Sequence, residues 1–249
     1  MVERSYEGEH ARFYDAHPAV AERDDIEFYL DQAGSVDGPV LELACGTGRI
    51  YLELLAAGVD ADGLDASGDA LAQLREKAGE WGLKASVWQA DMAAFEVDRA
   101  YELVICPFNA VQHLLTVDDQ LAALRSAYDA LAPGGEFVFD VFVPSFDIIC
   151  REYGEWTSSE VTYRGDPHEF RERSRIVDEV AQQFRVENEL RTPDGETVFA
   201  IEHDLVMLPE RNVELLARLS PFPEWSVQGD FEDRAIRDGD AAQVWTLRK

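Results

Sequence analysis

The stretch "VLELACGTGRI", residues 40–50, decides the fold. Val40–Leu43 has the apolar character of a short buried strand, and the turn Ala44-Cys45-Gly46-Thr47-Gly48 leads from it into residues with a helical pattern. A glycine turn between a first strand and a helix lets a nucleotide-like ligand lie against backbone amides. The stretch therefore predicts such a ligand at this turn, without showing which one.

Strand and helix patterns alternate from this stretch to Val143. Ser67 and Thr116 each precede an apolar stripe with helical spacing, as N-capping residues do. Strands that alternate with helices form a parallel sheet with helices on both faces. After Val40–Leu43, the sequence predicts four more strands, at Val59–Asp65, Ala85–Ala90, Tyr101–Cys106 and Glu136–Val143.

The pattern changes after Pro144. Apolar and charged residues alternate over 184–191 and again over Thr197–Leu208, and Thr192–Gly195 between them has the composition of a turn. This predicts an antiparallel lobe of about three strands, roughly Trp156–Leu208. A last helix and two closing strands are predicted at Glu210–Leu219, Trp225–Phe231 and Ala241–Lys249.

The charge balance restricts the partners. Among 249 residues, 50 Asp and Glu oppose 22 Lys and Arg, a formal net charge of −28, and the only lysines are Lys77, Lys84 and Lys249. Such a surface repels nucleic acid and anionic lipid, so neither is an expected partner. No run approaches the ~18 apolar residues of a membrane helix, and residues 1–35 are too charged for a secretory signal. Three cysteines without metal-type spacing indicate reduced thiols, so we expect a cytoplasmic protein.

Two kinds of protein use a glycine turn after the first strand. Dinucleotide-binding oxidoreductases have G-x-G-x-x-G, but here Tyr51 occupies the place of the third glycine. The segment Glu42-Leu43-Ala44-Cys45-Gly46-Thr47-Gly48 instead resembles the first motif of the class I S-adenosylmethionine-dependent methyltransferases. Further pieces resemble that family in the same order: Asp65, Asp91-Met92, Ile105–Asn109 and Leu131-Ala132-Pro133-Gly134-Gly135.

The resemblance implies an α/β fold, with a Rossmann-like, seven-stranded, mostly parallel sheet and an inserted antiparallel β lobe. It also implies three regions: an N-terminal helical lid (1–35), a core that binds S-adenosyl-L-methionine (36–150 and 209–249) and a substrate lobe (151–208). The implied cofactor-binding residues are Glu42, Ala44, Cys45, Gly46, Gly48, Asp65, Ala66, Asp91, Met92, Pro107 and Asn109.

Roles within this set follow from the family. The carboxylate of Asp65 would accept hydrogen bonds from both ribose hydroxyls. Asp91 would contact the adenine amine, and Met92 would contact the face of the adenine ring. Glu42 would lie at the methionine end of the cofactor, and Asn109 would lie near the sulfonium. Each residue also has a simpler interpretation, such as a tight turn or a solvated strand end, but all five pieces fall at predicted strand ends, where open α/β sheets bind ligands.

Two residues are candidates for catalysis. His113 follows the fourth strand on the side where substrate would enter, and could be a general base, although a histidine buried in a helix start is an equal alternative. Tyr14, or alternatively Tyr6, could close over the cofactor, as an N-terminal tyrosine does in similar small-molecule enzymes; Tyr14 could also be a surface aromatic. The other histidines lack metal-type spacing, and no metal is expected.

The predicted function is in-line transfer of a methyl group to a nitrogen or oxygen atom of a small molecule, by a monomer or homodimer. A methyltransferase for a protein or RNA target and a non-catalytic S-adenosylmethionine-binding protein remain alternatives, and so does a nicotinamide oxidoreductase.

The excess of acid, with arginine kept and lysine nearly absent, indicates adaptation to a saline cytoplasm. We expect the near-UV circular dichroism and the melting temperature to increase from dilute buffer to molar KCl, because salt screens the repulsion between like charges. Equal stability in the two solutions would contradict this hypothesis.

Overall fold

The computed structural model describes residues 6–21 and 23–249 and divides the chain into two compact units. The first, called the core unit here, comprises Asp24–Pro144 and Leu208–Lys249. The second, called the lobe unit, comprises Ser145–Met207 and the described residues up to Arg23. The sequence-based division into lid, core and substrate lobe concerns roles, and stays a prediction.

The elements are numbered along the chain. Helices α1–α8 lie at Gly8–Phe13, Pro18–Ala21, Ile26–Gly34, Tyr51–Ala56, Gly68–Glu80, Val117–Ala130, Phe146–Glu152 and Glu210–Leu219, and short 3-10 helices at Tyr14–Ala16 and Ala110–His113. Strands β1–β11 lie at Val40–Leu43, Ala61–Asp65, Val87–Gln89, Tyr101–Cys106, Leu131–Phe142, Thr157–Tyr163, Asp166–Asp178, Gln183–Arg191, Thr197–Val206, Glu224–Gly229 and Ala242–Arg248.

The core unit is built on a seven-stranded sheet in the order β10-β11-β5-β4-β1-β2-β3. Strands β1–β5 are parallel, and β11 is antiparallel to both β5 and β10. The predicted fold class is therefore confirmed. The strand order reverses between β1 and β4, and sheets of this kind bind ligands beside the carboxyl ends of the strands at such a point.

Helices α5 and α6 of the core unit begin at the predicted capping residues. Ser67 Oγ accepts a hydrogen bond from the Ala70 N–H at the start of α5, and Thr116 Oγ1 accepts one from the Asp119 N–H at the start of α6. The α5 stripe of Leu71, Leu74 and Ala78 is buried in the core. None of the helices in the described ranges combines the length and apolar composition needed to cross a membrane.

The glycine turn, Ala44–Gly48, places three alternate residues in the left-handed region, with φ of 55° at Ala44, 53° at Gly46 and 91° at Gly48. A Cβ at Gly48 would lie 2.8 Å from Leu74 Cγ, so this glycine also permits close packing of α5. A Cβ at Gly46 would meet nothing nearer than 4.0 Å. The two glycines thus differ in their surroundings: a Cβ at Gly48 would clash with core side chains, whereas one at Gly46 would have only ordinary van der Waals contacts.

The lobe unit contains a four-stranded antiparallel sheet in the order β6-β7-β8-β9, one strand more than predicted. The additional strand, β6, has the polar sequence TSSEVTY and is mostly exposed, so it lacks a clear alternation of apolar residues. One face of the sheet packs against Phe13 of α1 through Tyr163, Phe170, Leu190, Phe199 and Ile201. The opposite face carries three ion pairs of the β7 arginines: Arg171–Glu189, Arg173–Glu187 and Arg175–Glu187.

Gly48→Ala should destabilise the protein more than Gly58→Ala, although both glycines have positive φ (91° and 84°). A Cβ at Gly58 has no atom within 4 Å, so Gly58→Ala measures the conformational cost alone, about 1 kcal/mol. Overpacking against Leu74 and Leu52 should raise the loss at Gly48 to about 2–4 kcal/mol. Urea unfolding of the ligand-free protein gives both values, and equal losses would show that the close approach has no energetic role.

Candidate functional site

The site lies at the carboxyl ends of four neighbouring strands of the core unit. The register pairs Leu43, the last residue of β1, with Leu64 of β2, and Asp65, the last residue of β2, with Gln89, the last residue of β3. Strand β4 runs parallel to β1 on its other side, so the strands β4, β1, β2 and β3 end at one edge of the sheet. The segments that follow them bring together most of the residues predicted to bind the cofactor.

Asp65, the last residue of β2, links two backbone segments. Its Oδ2 accepts a hydrogen bond from the Gly46 N–H at 2.8 Å, and its Oδ1 accepts one from the Ser67 N–H at 2.7 Å. Burial raises the pKa of the Asp65 carboxyl, and these two backbone donors act in the opposite direction. Two carboxylate oxygens offer about four lone-pair directions, so the group retains the capacity to accept hydrogen bonds from a diol.

Glu42 lies within β1 and is 3% exposed. Burial raises the pKa of its carboxyl well above the usual range; Arg49 opposes this effect, and the carboxyls of Asp25 and Asp65 add to it. The Glu42 Oε2 atom is buried without a hydrogen-bond partner among the described residues. Burial of an acceptor without a hydrogen-bond donor costs folding free energy. A cationic ligand that donates to Glu42 Oε2 would remove this cost.

Arg49, directly after the glycine turn, is part of a buried ion pair that the sequence does not reveal. Its guanidinium forms a bidentate pair with Asp25, in which Arg49 Nη2 donates to Asp25 Oδ2 at 3.0 Å. The Asp25 side chain is fully buried. The same guanidinium lies 5.4 Å from the centroid of the Phe108 ring, so Arg49 connects the glycine turn with the segment after β4.

The segment Pro107–Asn109, called the β4 loop here, has an unusual backbone. Pro107 is buried, and Phe108 and Asn109 are consecutive left-handed residues, with φ of 61° and 58°. Their N–H groups both donate to the carboxylate of Asp140 on β5. The Asn109 Oδ1 atom is buried without a partner among the residues described.

His113 lies in the 3-10 helix that follows the β4 loop and is partly buried. Burial lowers the pKa of its imidazole to about 4. The ring is therefore neutral near pH 7 and carries one nitrogen lone pair that can accept a proton. Its neighbour Gln112 is fully buried and accepts a hydrogen bond from the Phe142 N–H at 3.3 Å, which ties this helix to the end of β5.

The segments after β2 and β3 form the other side of the site. The Ala66 carbonyl accepts a hydrogen bond from Gln89 Nε2 at 2.7 Å, which joins the two strand ends. Asp91 is exposed, its Oδ1 accepts a hydrogen bond from the Ala93 N–H, and Met92 is partly buried. Asp65 and Asp91 thus lie at the carboxyl ends of the adjacent strands β2 and β3, and their contacts with ribose and adenine stay predictions.

Cys45 is a packing residue of the glycine turn. It is 3% exposed, and a Cβ on Gly63 would lie 2.9 Å from its sulfur. Burial raises the pKa of the thiol well above its usual value, so the side chain fills space beside β2 and is not activated as a thiolate. Any contact of Cys45 with a ligand would therefore come from its backbone.

Tyr14 lies in the lobe unit, in the 3-10 helix after α1. Its ring centroid is 5.7 Å from that of Tyr6 and 6.4 Å from that of His10. Its proposed closure over the cofactor stays a prediction. Across residues 6–21 and 23–249, no group of three or more His, Cys, Asp or Glu side chains is arranged to hold a metal ion, and the expectation of no metal also stays a prediction.

Comparison with known families agrees with this geometry. A family model described as a methyltransferase domain matches residues 40–135, from β1 into β5. This chain carries a methyltransferase domain. The match includes the glycine turn, Asp65, Asp91 and the β4 loop.

Curated relatives share this methyltransferase domain over part of their length. The dTDP-3-amino-3,4,6-trideoxy-alpha-D-glucopyranose N,N-dimethyltransferase of Streptomyces venezuelae is 30% identical over 141 residues, which cover 54% of this chain and 58% of that protein. The glycine/sarcosine N-methyltransferase of Aphanothece halophytica is 26% identical over 214 residues, which cover 84% of this chain and 76% of that protein. This chain spans about half the length of the first curated relatives that it matches.

Among solved structures, the CcbJ methyltransferase from Streptomyces caelestis matches with a TM-score of 0.81 and 25% identity, over 100% of this chain and 99% of that one. The similarity therefore extends beyond the methyltransferase domain to the antiparallel sheet. The resemblance to the class I S-adenosylmethionine-dependent methyltransferases is confirmed for the domain and the fold, and the roles of individual residues remain to be tested.

Proposed function

We propose that this chain is an S-adenosyl-L-methionine-dependent methyltransferase that transfers a methyl group in line to a nitrogen or oxygen atom of a small molecule. One observation carries the proposal: in a methyltransferase domain, Asp65 is held by the glycine turn and by the start of α5, with lone pairs left for a diol. A carboxylate at this position suits a ribose, and a glycine at position 46 keeps side-chain atoms away from the turn on which the ligand would lie.

The other predicted residues fit the remaining parts of the cofactor. Asp91 and Met92 would contact adenine, and the backbone of Ala44, Cys45, Gly46, Gly48 and Ala66 would border the ribose and the methionine chain. The acceptors on Glu42 and Asn109 that have no partner in the described part of the chain suit a ligand that brings cationic donors, such as the ammonium of the methionine end. Pro107 would form part of the wall near the sulfonium.

The cofactor would supply an electrophilic methyl group on a good leaving group. The protein therefore has to bind and orient the cofactor and the acceptor, and to exclude water from the site. His113, neutral at physiological pH, would accept the proton that an amine or hydroxyl acceptor loses when it is methylated. A positioned base of this kind contributes about 10²–10⁴-fold in rate. Tyr14 would close over the cofactor as a lid.

The acceptor class is a small molecule, and amines are favoured. The S. venezuelae relative is named as an amino-sugar N,N-dimethyltransferase, and the A. halophytica relative as a glycine/sarcosine N-methyltransferase. A net charge of −28 disfavours an RNA target, because phosphates would be repelled. We also propose a cytoplasmic, salt-adapted monomer or homodimer that binds neither nucleic acid nor membranes, with residues 151–208 as the substrate lobe.

Calorimetric titration with S-adenosylhomocysteine and with NADH tests the proposal. We expect binding of S-adenosylhomocysteine alone, followed by transfer of label from methyl-labelled S-adenosylmethionine to at least one member of a panel of small amines, alcohols and thiols. His113→Ala should lower the turnover number by at least about tenfold and leave the affinity for S-adenosylhomocysteine unchanged.

Each alternative predicts a different result. Binding of NADH alone would overturn the proposal in favour of an oxidoreductase. Binding of S-adenosylhomocysteine without transfer to any acceptor would favour a non-catalytic binding protein, and transfer only to protein or RNA would favour a macromolecular target. A wild-type rate in His113→Ala would remove this residue from the mechanism.

A further inference from the structure

The β4 loop has a backbone conformation that its sequence does not favour. Phe108 and Asn109 have φ of 61° and 58°, and two consecutive left-handed residues without a glycine are costly. Asparagine tolerates this region better than most residues, but phenylalanine does not. Such strain persists only where the surroundings fix the backbone, and it is often located at functional sites.

The group that fixes this backbone is the carboxylate of Asp140. The Phe108 N–H donates to Asp140 Oδ1 at 2.8 Å, and the Asn109 N–H donates to Oδ2 at 3.2 Å. Asp140 is fully buried on β5, one residue beyond Phe139, which pairs with the last residue of β4. The carboxylate therefore lies where the chain leaves β4, and both of its oxygens hold the β4 loop.

Asp140 is itself held in place by α3. The Tyr29 hydroxyl donates to Asp140 Oδ1 at 2.6 Å, and Tyr29 is fully buried. Asp25, which precedes α3 by one residue, pairs with Arg49, whose guanidinium lies against the Phe108 ring. Helix α3 thus supports the β4 loop from two directions: through Tyr29 and Asp140, and through Asp25 and Arg49.

The β4 loop determines where the next helix starts. The Gln112 N–H donates to the Asn109 carbonyl at 2.9 Å, which forms the first turn of the 3-10 helix that carries His113. A change in the left-handed conformation at Asn109 would redirect this carbonyl and the helix behind it.

We propose that Asp140 is a positioning residue: its carboxylate, fixed by Tyr29, holds Phe108 and Asn109 in the left-handed conformation and thereby sets the position of His113. This inference rests on the proposed function, since it concerns the site where the methyl acceptor would be oriented. Asp140 acts through the backbone of the β4 loop.

The structure supplies a matched control pair. Tyr101 donates to Asp62 Oδ2 at 2.7 Å, the same kind of tyrosine–aspartate bond in the same sheet. Asp62 lies near the amino end of β2 and Tyr101 at the amino end of β4, so this pair is located at the edge opposite the site. The test therefore compares Asp140→Asn and Tyr29→Phe with Asp62→Asn and Tyr101→Phe.

Asp140→Asn keeps the size of the side chain but places an amide NH2 where one of the two backbone N–H groups now finds an acceptor. We expect the turnover number to fall by about tenfold or more, because placement of His113 matters chiefly to the methyl transfer. The affinity for S-adenosylhomocysteine should fall by a smaller factor, since Pro107 and Asn109 of the same loop would border the cofactor. Hydrogen exchange, followed by mass spectrometry, should become faster in a peptide that covers residues 106–113. Tyr29→Phe should show the same pattern to a smaller degree.

The control variants should lower the melting temperature while the turnover number and the exchange of residues 106–113 stay at wild-type values. The proposal is overturned if Asp140→Asn keeps wild-type turnover, or if its loss of turnover is matched by a control variant of equal melting temperature. It is also overturned if exchange of residues 106–113 is unchanged. A wild-type protein that transfers no methyl group contradicts the proposed function instead, and the exchange result then still reports whether Asp140 holds the β4 loop.

Discussion

The carboxylate of Asp65 joins two backbone segments on which the site depends, the glycine turn after β1 and the start of α5 after β2. The turn has positive φ at Ala44, Gly46 and Gly48, and successive backbone N–H groups in turns of this kind can line a ligand-binding concavity. Because Asp65 accepts a hydrogen bond from the Gly46 N–H, it stabilises the turn. Its carboxylate still has lone pairs with which it can accept hydrogen bonds from a ligand. In the proposed function, one side chain would thus both support the turn and recognise the ribose.

A second property of the site is its concentration of buried carboxyl groups. Glu42, Asp25 and Asp140 are all almost fully buried at this edge of the sheet, and Arg49 is the cation that pairs with one of them. Burial of a carboxylate is costly unless hydrogen bonds or opposite charges compensate it. Asp140 is compensated by hydrogen-bond donors and Asp25 by Arg49. Glu42, in contrast, has an oxygen without a partner within residues 6–21 and 23–249, and burial raises the pKa of its carboxyl. A ligand with a sulfonium and an ammonium group would supply the missing positive charge.

Local signals in the sequence account for the parts of the structure that could be predicted. Ser67 and Thr116 cap the expected helices because the capping signal involves residues only three positions apart. Asp65 could be placed at a strand end, but its bond to Gly46 depends on the pairing of β1 with β2. Asp140 lies in an apolar strand and has no local partner: Tyr29 is 111 residues away and Phe108 is 32 residues away. The Asp25–Arg49 pair escapes prediction for the same reason, and β6 because its polar sequence resembles a loop.

The affinity of Asp65→Ala for S-adenosylhomocysteine, measured by calorimetry beside the surface control Asp69→Ala, tests the central role of Asp65 most directly. We expect a loss of about 1–3 kcal/mol for Asp65→Ala, because hydrogen bonds from the ribose to a charged acceptor are removed. Asp69→Ala should bind like the wild type. An Asp65→Ala protein that is folded, as judged by its circular dichroism, and binds S-adenosylhomocysteine with unchanged affinity would contradict the account.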